Sequence, residues 1–257
     1  MKTIVKIEIA ILILVVLVAA GMVMVSEGVL NLFFEPVVRV RDAPAIPTAA
    51  AALLAEAEGE AIPEATVPQD PAEARELTAK RYFAYDVREG KYLTTLGDTD
   101  EKLYPASITK LLTAHVVLQH MKPEDTVVVG DALTLVHEGS STAGLAEGDS
   151  LSVEQLISAM MLPSGNDAAQ VAAVAAGRVI GGKDLDCTAA VGTFVAEMNK
   201  QAEALGMKGS HFENPDGWHH ENHYTTARDL YLITKYALTL PRFAEICNTA
   251  TYYCEGD

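Results

Sequence analysis

Six of the chain's eleven prolines, Pro36, Pro44, Pro47, Pro63, Pro68 and Pro71, crowd into one stretch otherwise rich in Ala and Glu. A proline removes a backbone donor and breaks a helix interior, so no long helix can run through this region. Few large apolar residues lie there to build a core. Residues 26–76 therefore read as an acidic linker, with room for one short helix around 49–58. The folded domain must come from residues 77–257, and the segment before the linker must serve another purpose.

That first segment, residues 1–25, is nearly continuous apolar sequence from Ile4 to Val25, broken only by Lys6 and Glu8. Twenty-two helical residues would span about 33 Å, enough for a bilayer core. Lys2 and Lys6 precede most of the run, which keeps the N-terminus cytoplasmic and sends the linker and the folded domain outward. The run exceeds a usual signal-peptide core and lacks a clean Ala-x-Ala site. A transmembrane anchor is the expectation, with a cleaved signal peptide as the other reading; both export the folded domain. The net charge of −16 argues against nucleic acid as a partner, because phosphate contact needs clustered Lys and Arg.

From residue 77 the pattern changes. Residues 81–87 predict a strand, 88–91 a turn and 92–96 its hairpin partner. A helix follows from Ser107 to about Met121, stopped by Pro123. Leu111, Leu112, Val116 and Leu118 give it a broad apolar face, so it reads as a central, buried helix, with His115 as a satisfied polar group or a core-edge residue rather than a catalytic base. Residues 126–129 form a short strand, and 139–145 a Gly- and Ser-rich loop. Ser152 and Gln155 make a capping box for the next helix. That helix breaks at residues 162–167, and a small-residue helix runs from Ala168 to about Gly177. Another helix spans about 188–205 with Phe194, Met198 and Leu205 inward, and Thr226 with Asp229 caps one reaching Leu240. The fold class is α+β, a helical cluster packed on an antiparallel sheet. Alternating βα units and a Gly-rich phosphate loop are both missing.

Chemistry gathers at two places. Ser107 and Lys110 lie three apart entering an apolar run, so they share one face of a helical turn. An amine within reach can activate a serine hydroxyl, which is a weak nucleophile at its own pKa. Ser164-Gly165-Asn166 lies on the turn between two helices. There a hydroxyl and a carboxamide can point together into a cleft, where Ser164 could relay a proton and Asn166 bind a substrate carbonyl or hold Lys110, although Asn166 could equally be the N-cap of the next helix.

Together, Ser-x-x-Lys at a helix start and Ser-x-Asn on an interhelical turn form the motif pair of the penicillin-recognising serine acyl-enzymes. Residues 83–91, 104–114, 139–145 and 162–169 resemble successive blocks of the serine-type D-Ala-D-Ala carboxypeptidases, the low-molecular-mass penicillin-binding proteins. Residues 194–199, 204–207, 211–217 and 223–230 continue the resemblance in order. It implies a β-lactamase/transpeptidase-like fold and a hydrolase acting on peptidoglycan stem peptides outside a bacterial cell membrane, inhibited by β-lactam antibiotics. It implies Ser107 as the acylated nucleophile, Lys110 as general base, Ser164 as proton shuttle and Asn166 as the residue positioning substrate. The Ser107 N–H would give one half of the oxyanion hole. No cofactor and no metal are implied.

The resemblance has one departure. The family carries a third motif, Lys-Thr-Gly on a strand facing the nucleophile, and no Lys-Thr-Gly occurs in these 257 residues. The expectation is a C-terminally incomplete domain, and an inactive envelope protein that keeps the fold is the rival reading. A β-lactamase would need a deacylating Glu, and no block resembles the loop that carries one. His211, His219, His220 and His223 read as loop histidines rather than a zinc set. Cys187, Cys247 and Cys254 have no metal-type spacing and read as unpaired thiols, with a Cys247–Cys254 pair in an oxidising compartment as the other reading.

Overall fold

The architecture is described from a computed structural model covering residues 81–86, 91–240, 242–250 and 252. The expected membrane segment 1–25, the linker 26–76 and its short helix lie outside the described residues. Among the described residues no helix is long and apolar enough to cross a membrane.

Helix α1 (Thr109–His120) is the axis of the fold. It buries not one stripe but most of its circumference: Lys110, Leu112, Thr113, Ala114, His115, Val116 and Val117 are all out of solvent. Such a helix needs partners on several sides, and they follow in sequence. Strand β3 (Thr126–Val128) pairs antiparallel with β4 (Ser150–Ser152), matching Val127 to Leu151. Ser152 ends β4 and caps α2 (Val153–Met161): its hydroxyl accepts from Gln155 N–H while the Gln155 side chain accepts from Ser152 N–H. Both halves of the expected capping box are present. The sequence did not show β4, which is too short for an alternating pattern to declare itself.

Helix α3 (Asn166–Gly181) runs four residues past the expected end and begins two earlier. Its core face is alanine: Ala168, Ala169, Ala172, Ala173 and Ala176 are fully buried. Small side chains bring neighbouring helices to near-backbone contact. Against α4 (Cys187–Ala204) the approach is so close that a Cβ on Gly177 would sit 2.1 Å from the Ala190 carbonyl oxygen. Phe194, Met198 and Leu205 point inward as expected.

Strands β1 (Tyr82–Asp86) and β2 (Lys91–Leu96) form the expected antiparallel hairpin. Helix α5 (Ala227–Ala237) lies against β1, where Tyr231 meets Tyr85 with ring centroids 4.9 Å apart. Thr226 caps α5 by accepting from Asp229 N–H, as expected. The helix closes before Leu240 because Thr239 and Leu240 N–H tighten onto carbonyls three residues back, ahead of Pro241. A last short helix, α6 (Phe243–Cys247), buries Phe243 and Ile246. Among the described residues Cys187 and Cys247 are free thiols.

Candidate active site

The nucleophile candidate sits just before α1, not within it. Residues Ala106–Ile108 form a 3-10 turn, and α-helical geometry begins only at Thr109. Ala106 is left-handed, with φ +49, a conformation that costs an L-residue about 1–2 kcal/mol. It is held there by the loop at 214–218, which presses so near that a Cβ on Gly217 would lie 1.8 Å from the Ala106 carbonyl oxygen. Only glycine permits that approach, and its own φ of +84 also suits it.

One turn on, Lys110 is 1% exposed. Its Nζ lies 3.3 Å from Ser107 Oγ, 2.8 Å from Asn166 Oδ1 and 2.8 Å from the Asp216 carbonyl oxygen. Burial pulls the ammonium down from its ordinary 10.5 to about 8, against the opposing charges of Asp216 and Asp167. Asn166 Oδ1 and Asp216 O are acceptors that cannot donate. A neutral amine has two N–H bonds and one lone pair, so with both N–H bonds spent on these acceptors its lone pair faces the Ser107 hydroxyl.

Asn166 reaches Lys110 because it is the first residue of α3, with Gly165 as N-cap. Its side chain serves Lys110, not the helix end, which decides between the two roles that its sequence position allows. The turn is strapped to the 139–145 loop. Asn166 N–H donates to Ser141 O at 2.8 Å, and Ser141 Oγ donates to Pro163 O at 2.7 Å. The buried Asp167 carboxylate accepts from the N–H groups of Ala143, Gly144, Leu145 and Ala168 at 2.8–3.0 Å. Ser164 occupies the same turn with φ +60. Among the described residues its hydroxyl makes no hydrogen bond to Ser107, Lys110 or Asn166, so the structure brings three of the four candidates into one network.

Residues 65–254 match the family described as D-alanyl-D-alanine carboxypeptidase. The chain belongs to that family. DacC of Escherichia coli K12, a D-alanyl-D-alanine carboxypeptidase, is 34% identical over 182 residues, covering 67% of this chain and 42% of its own length. DacF of Bacillus subtilis is 29% identical over 196 residues, covering 74% and 47%. The chain thus spans less than half the length of these curated relatives. The Streptomyces K15 DD-transpeptidase superimposes with a TM-score of 0.55 at 33% identity, over 61% of this chain and 59% of that one. DacD from Francisella tularensis gives 0.53 at 29% identity, over 66% and 39%. The expected transpeptidase-like fold is therefore the observed one.

Three residues that the family resemblance left without roles complete the network. Asp216 supplies a main-chain carbonyl to Lys110, and its own buried carboxylate accepts from Trp218 N–H at 2.9 Å and Gln170 Nε2 at 3.1 Å. Gln170 lies one turn after Asn166 on α3, so one face of that helix holds both the lysine and the loop beside it. Asp167 fixes the loop opposite. A backbone acceptor leaves no trace in side-chain pattern. The one available signal was Pro215-Asp216-Gly217, a turn-forming sequence within residues 211–217.

The histidines of the 211–223 loop, and His115, make contacts within the fold. His223 is 2% exposed; its Nδ1 accepts from Glu213 N–H at 3.2 Å, so Nε2 carries the proton and donates to Thr109 Oγ1 at 2.8 Å. Burial lowers its pKa to about 4. Thr113 Oγ1 donates to Pro215 O at 2.6 Å. Thr109, Lys110 and Thr113 thus lace one side of α1 to the 213–223 loop. His115 is buried against Gln201 and, edge-on, Tyr236, but only its Nε2 is bonded; Nδ1 has no partner among the described residues. Of the two readings for this ring, a satisfied polar group or a core-edge residue, the first holds for one of its two nitrogens. His219 stacks edge-on against Tyr104, and His220 Nδ1 accepts from Asn222 N–H.

Proposed function

We propose that this chain is a serine-type D-Ala-D-Ala carboxypeptidase that removes the terminal D-Ala from peptidoglycan stem pentapeptides. The observation that carries the proposal is the Lys110 amine, 3.3 Å from Ser107 Oγ, with a pKa near 8 and its two other contacts made to pure acceptors. About a tenth of such lysine is neutral at pH 7, against well under a thousandth for a free one.

In this reading Ser107 Oγ attacks the carbonyl carbon between the two D-Ala residues as its proton passes to Lys110. The developing oxyanion is met by the Ser107 N–H. The C–N bond breaks, the proton reaches the departing amine through Ser164, and water then hydrolyses the ester. Asn166 holds the stem peptide while fixing Lys110. Penicillins, whose strained amide occupies the place of the scissile bond, would acylate Ser107 and block the site. Family membership and the apolar run at residues 4–25 support a cell-wall enzyme held at the outer face of a bacterial membrane.

The test is covalent labelling of the 257-residue chain with fluorescent penicillin. The expected result is one labelled band, lost in Ser107→Ala with the thermal melt unchanged. Labelling that survives this substitution refutes the assignment of the nucleophile. Release of D-Ala from a pentapeptide, set against β-lactam turnover, separates a carboxypeptidase from a β-lactamase.

A further inference from the structure

Among the described residues, the polar and charged groups that act on Lys110 can be named. From α3 come the neutral Asn166 amide and the Asp167 carboxylate; from the 214–218 loop come the Asp216 carbonyl and carboxylate; from its own turn comes Ser107. The two acids are held differently. Asp167 is spread over the backbone N–H groups of Ala143, Gly144, Leu145 and Ala168, which are donors aimed at a fixed negative charge. Asp216 is 1% exposed and has two neutral donors, Trp218 N–H and Gln170 Nε2. Its own main chain touches the Lys110 amine at 2.8 Å. The Asp216 carboxylate thus belongs to the same buried residue whose carbonyl touches Lys110, in low-dielectric surroundings where charge is felt strongly. His223 faces the same acid and stays neutral because it is buried.

We propose that Asp216 is a positioning residue whose buried carboxylate, held by Trp218 and Gln170, fixes the carbonyl that grips Lys110 and sets a negative charge beside the amine. The inference rests on Lys110 being the general base of the proposed reaction. It makes Asp216 a brake on the resting amine. Its hydrogen bonds orient the loop, and its charge opposes the desolvation that would otherwise free the lone pair. The structure supplies a clean variant. Gln170 Oε1 is buried with no partner among the described residues. In Asp216→Asn the new amide can donate to that oxygen once the Gln170 amide turns over, while Trp218 N–H keeps its acceptor. Charge is removed and the hydrogen-bond count is kept.

The measurement is a pH titration of the Lys110 Cε resonance in the full chain grown with 13Cε-lysine. That resonance is identified by its loss in Lys110→Arg. In the unaltered chain the midpoint should lie near 8. In Asp216→Asn and in Asp216→Ser it should fall toward 7, raising the neutral share at pH 7 from about a tenth to about half. Glu213→Gln, which removes a charge from the same loop without touching Lys110, should leave the midpoint in place. A midpoint that stays or rises in both Asp216 variants overturns the proposal. So does failure of both to fold, since Asp216 would then serve the architecture alone. The rate of fluorescent-penicillin labelling against pH should shift down in parallel. If the unaltered chain never labels, the acyl-enzyme reading falls, and the resonance still decides the role of Asp216.

Discussion

Acid should loosen the His223 clasp between α1 and the 213–223 loop by an amount that can be worked out. Protonation puts a hydrogen on Nδ1, where it faces the Glu213 N–H that Nδ1 now accepts from at 3.2 Å. The folded chain resists this, with a pKa of about 4 against an ordinary 6.5, because the ring is buried. The unfolded chain therefore binds the proton first as pH falls. Stability from this group is complete above pH 6.5 and drains away as pH falls toward 4. Between about pH 7.5 and about pH 5 the loss is about 2 kcal/mol, roughly thirtyfold in the folding constant. His223→Gln isolates it, because glutamine can still donate to Thr109 Oγ1 but does not titrate. At about pH 7.5 the variant should be less stable by about 1–2 kcal/mol, for the lost Glu213 bond and the ring contact with Phe212. Near pH 5 the two chains should be about equal. Urea unfolding at fixed ionic strength reads both curves, and every other titrating group cancels in their difference. A gap that stays constant from pH 7.5 to 5 would refute the tautomer and the burial argument together.

Two further outcomes arise from close contacts. Gly217→Ala sets a methyl 1.8 Å from the Ala106 carbonyl oxygen at φ +84. It should cost on the order of 3 kcal/mol or move the loop, and either result should cut penicillin labelling well over tenfold; native stability with native labelling would contradict the contact. Asp167→Ala orphans the N–H groups of Ala143, Gly144 and Leu145. Their hydrogen exchange should accelerate by at least a hundredfold, with a stability loss on the order of 3 kcal/mol; unchanged protection would show the loop to be held by other means.

Local chemistry made much of this molecule legible from its residues. Ser152 with Gln155, Thr226 with Asp229, and the inward line of Phe194 and Met198 each follow from a short stretch and its preferred geometry, and each is found. Ser107 and Lys110 meet because helical spacing demands it. The Asn166–Lys110 contact was one of several roles the turn allowed, since nothing within residues 160–170 reveals which group lies opposite. What escaped was set by tertiary contact. The 3-10 turn at Ala106 exists because Gly217 pushes on it, and the Asp216 carbonyl becomes a ligand of Lys110 because Gln170 and Trp218 hold the loop. Helix α3 outran its expected bounds because close packing on α4, not apolar periodicity, sustains it.

The lacing of Lys110 to partners 56 and 106 positions downstream, with its neighbour Thr109 bound 114 positions downstream, carries a consequence for the order of synthesis. Ser107 and Lys110 leave the ribosome together, but the side chain that grips the lysine and the loop that buries it come out much later. Until residue 223 has emerged and docked, Lys110 stands in water as an ordinary, protonated surface lysine, and Ser107 as an inert alcohol. On the proposed reading, reactivity therefore waits until the 213–223 loop has docked. In that reading, a nascent or unfolded copy in transit carries no activated serine.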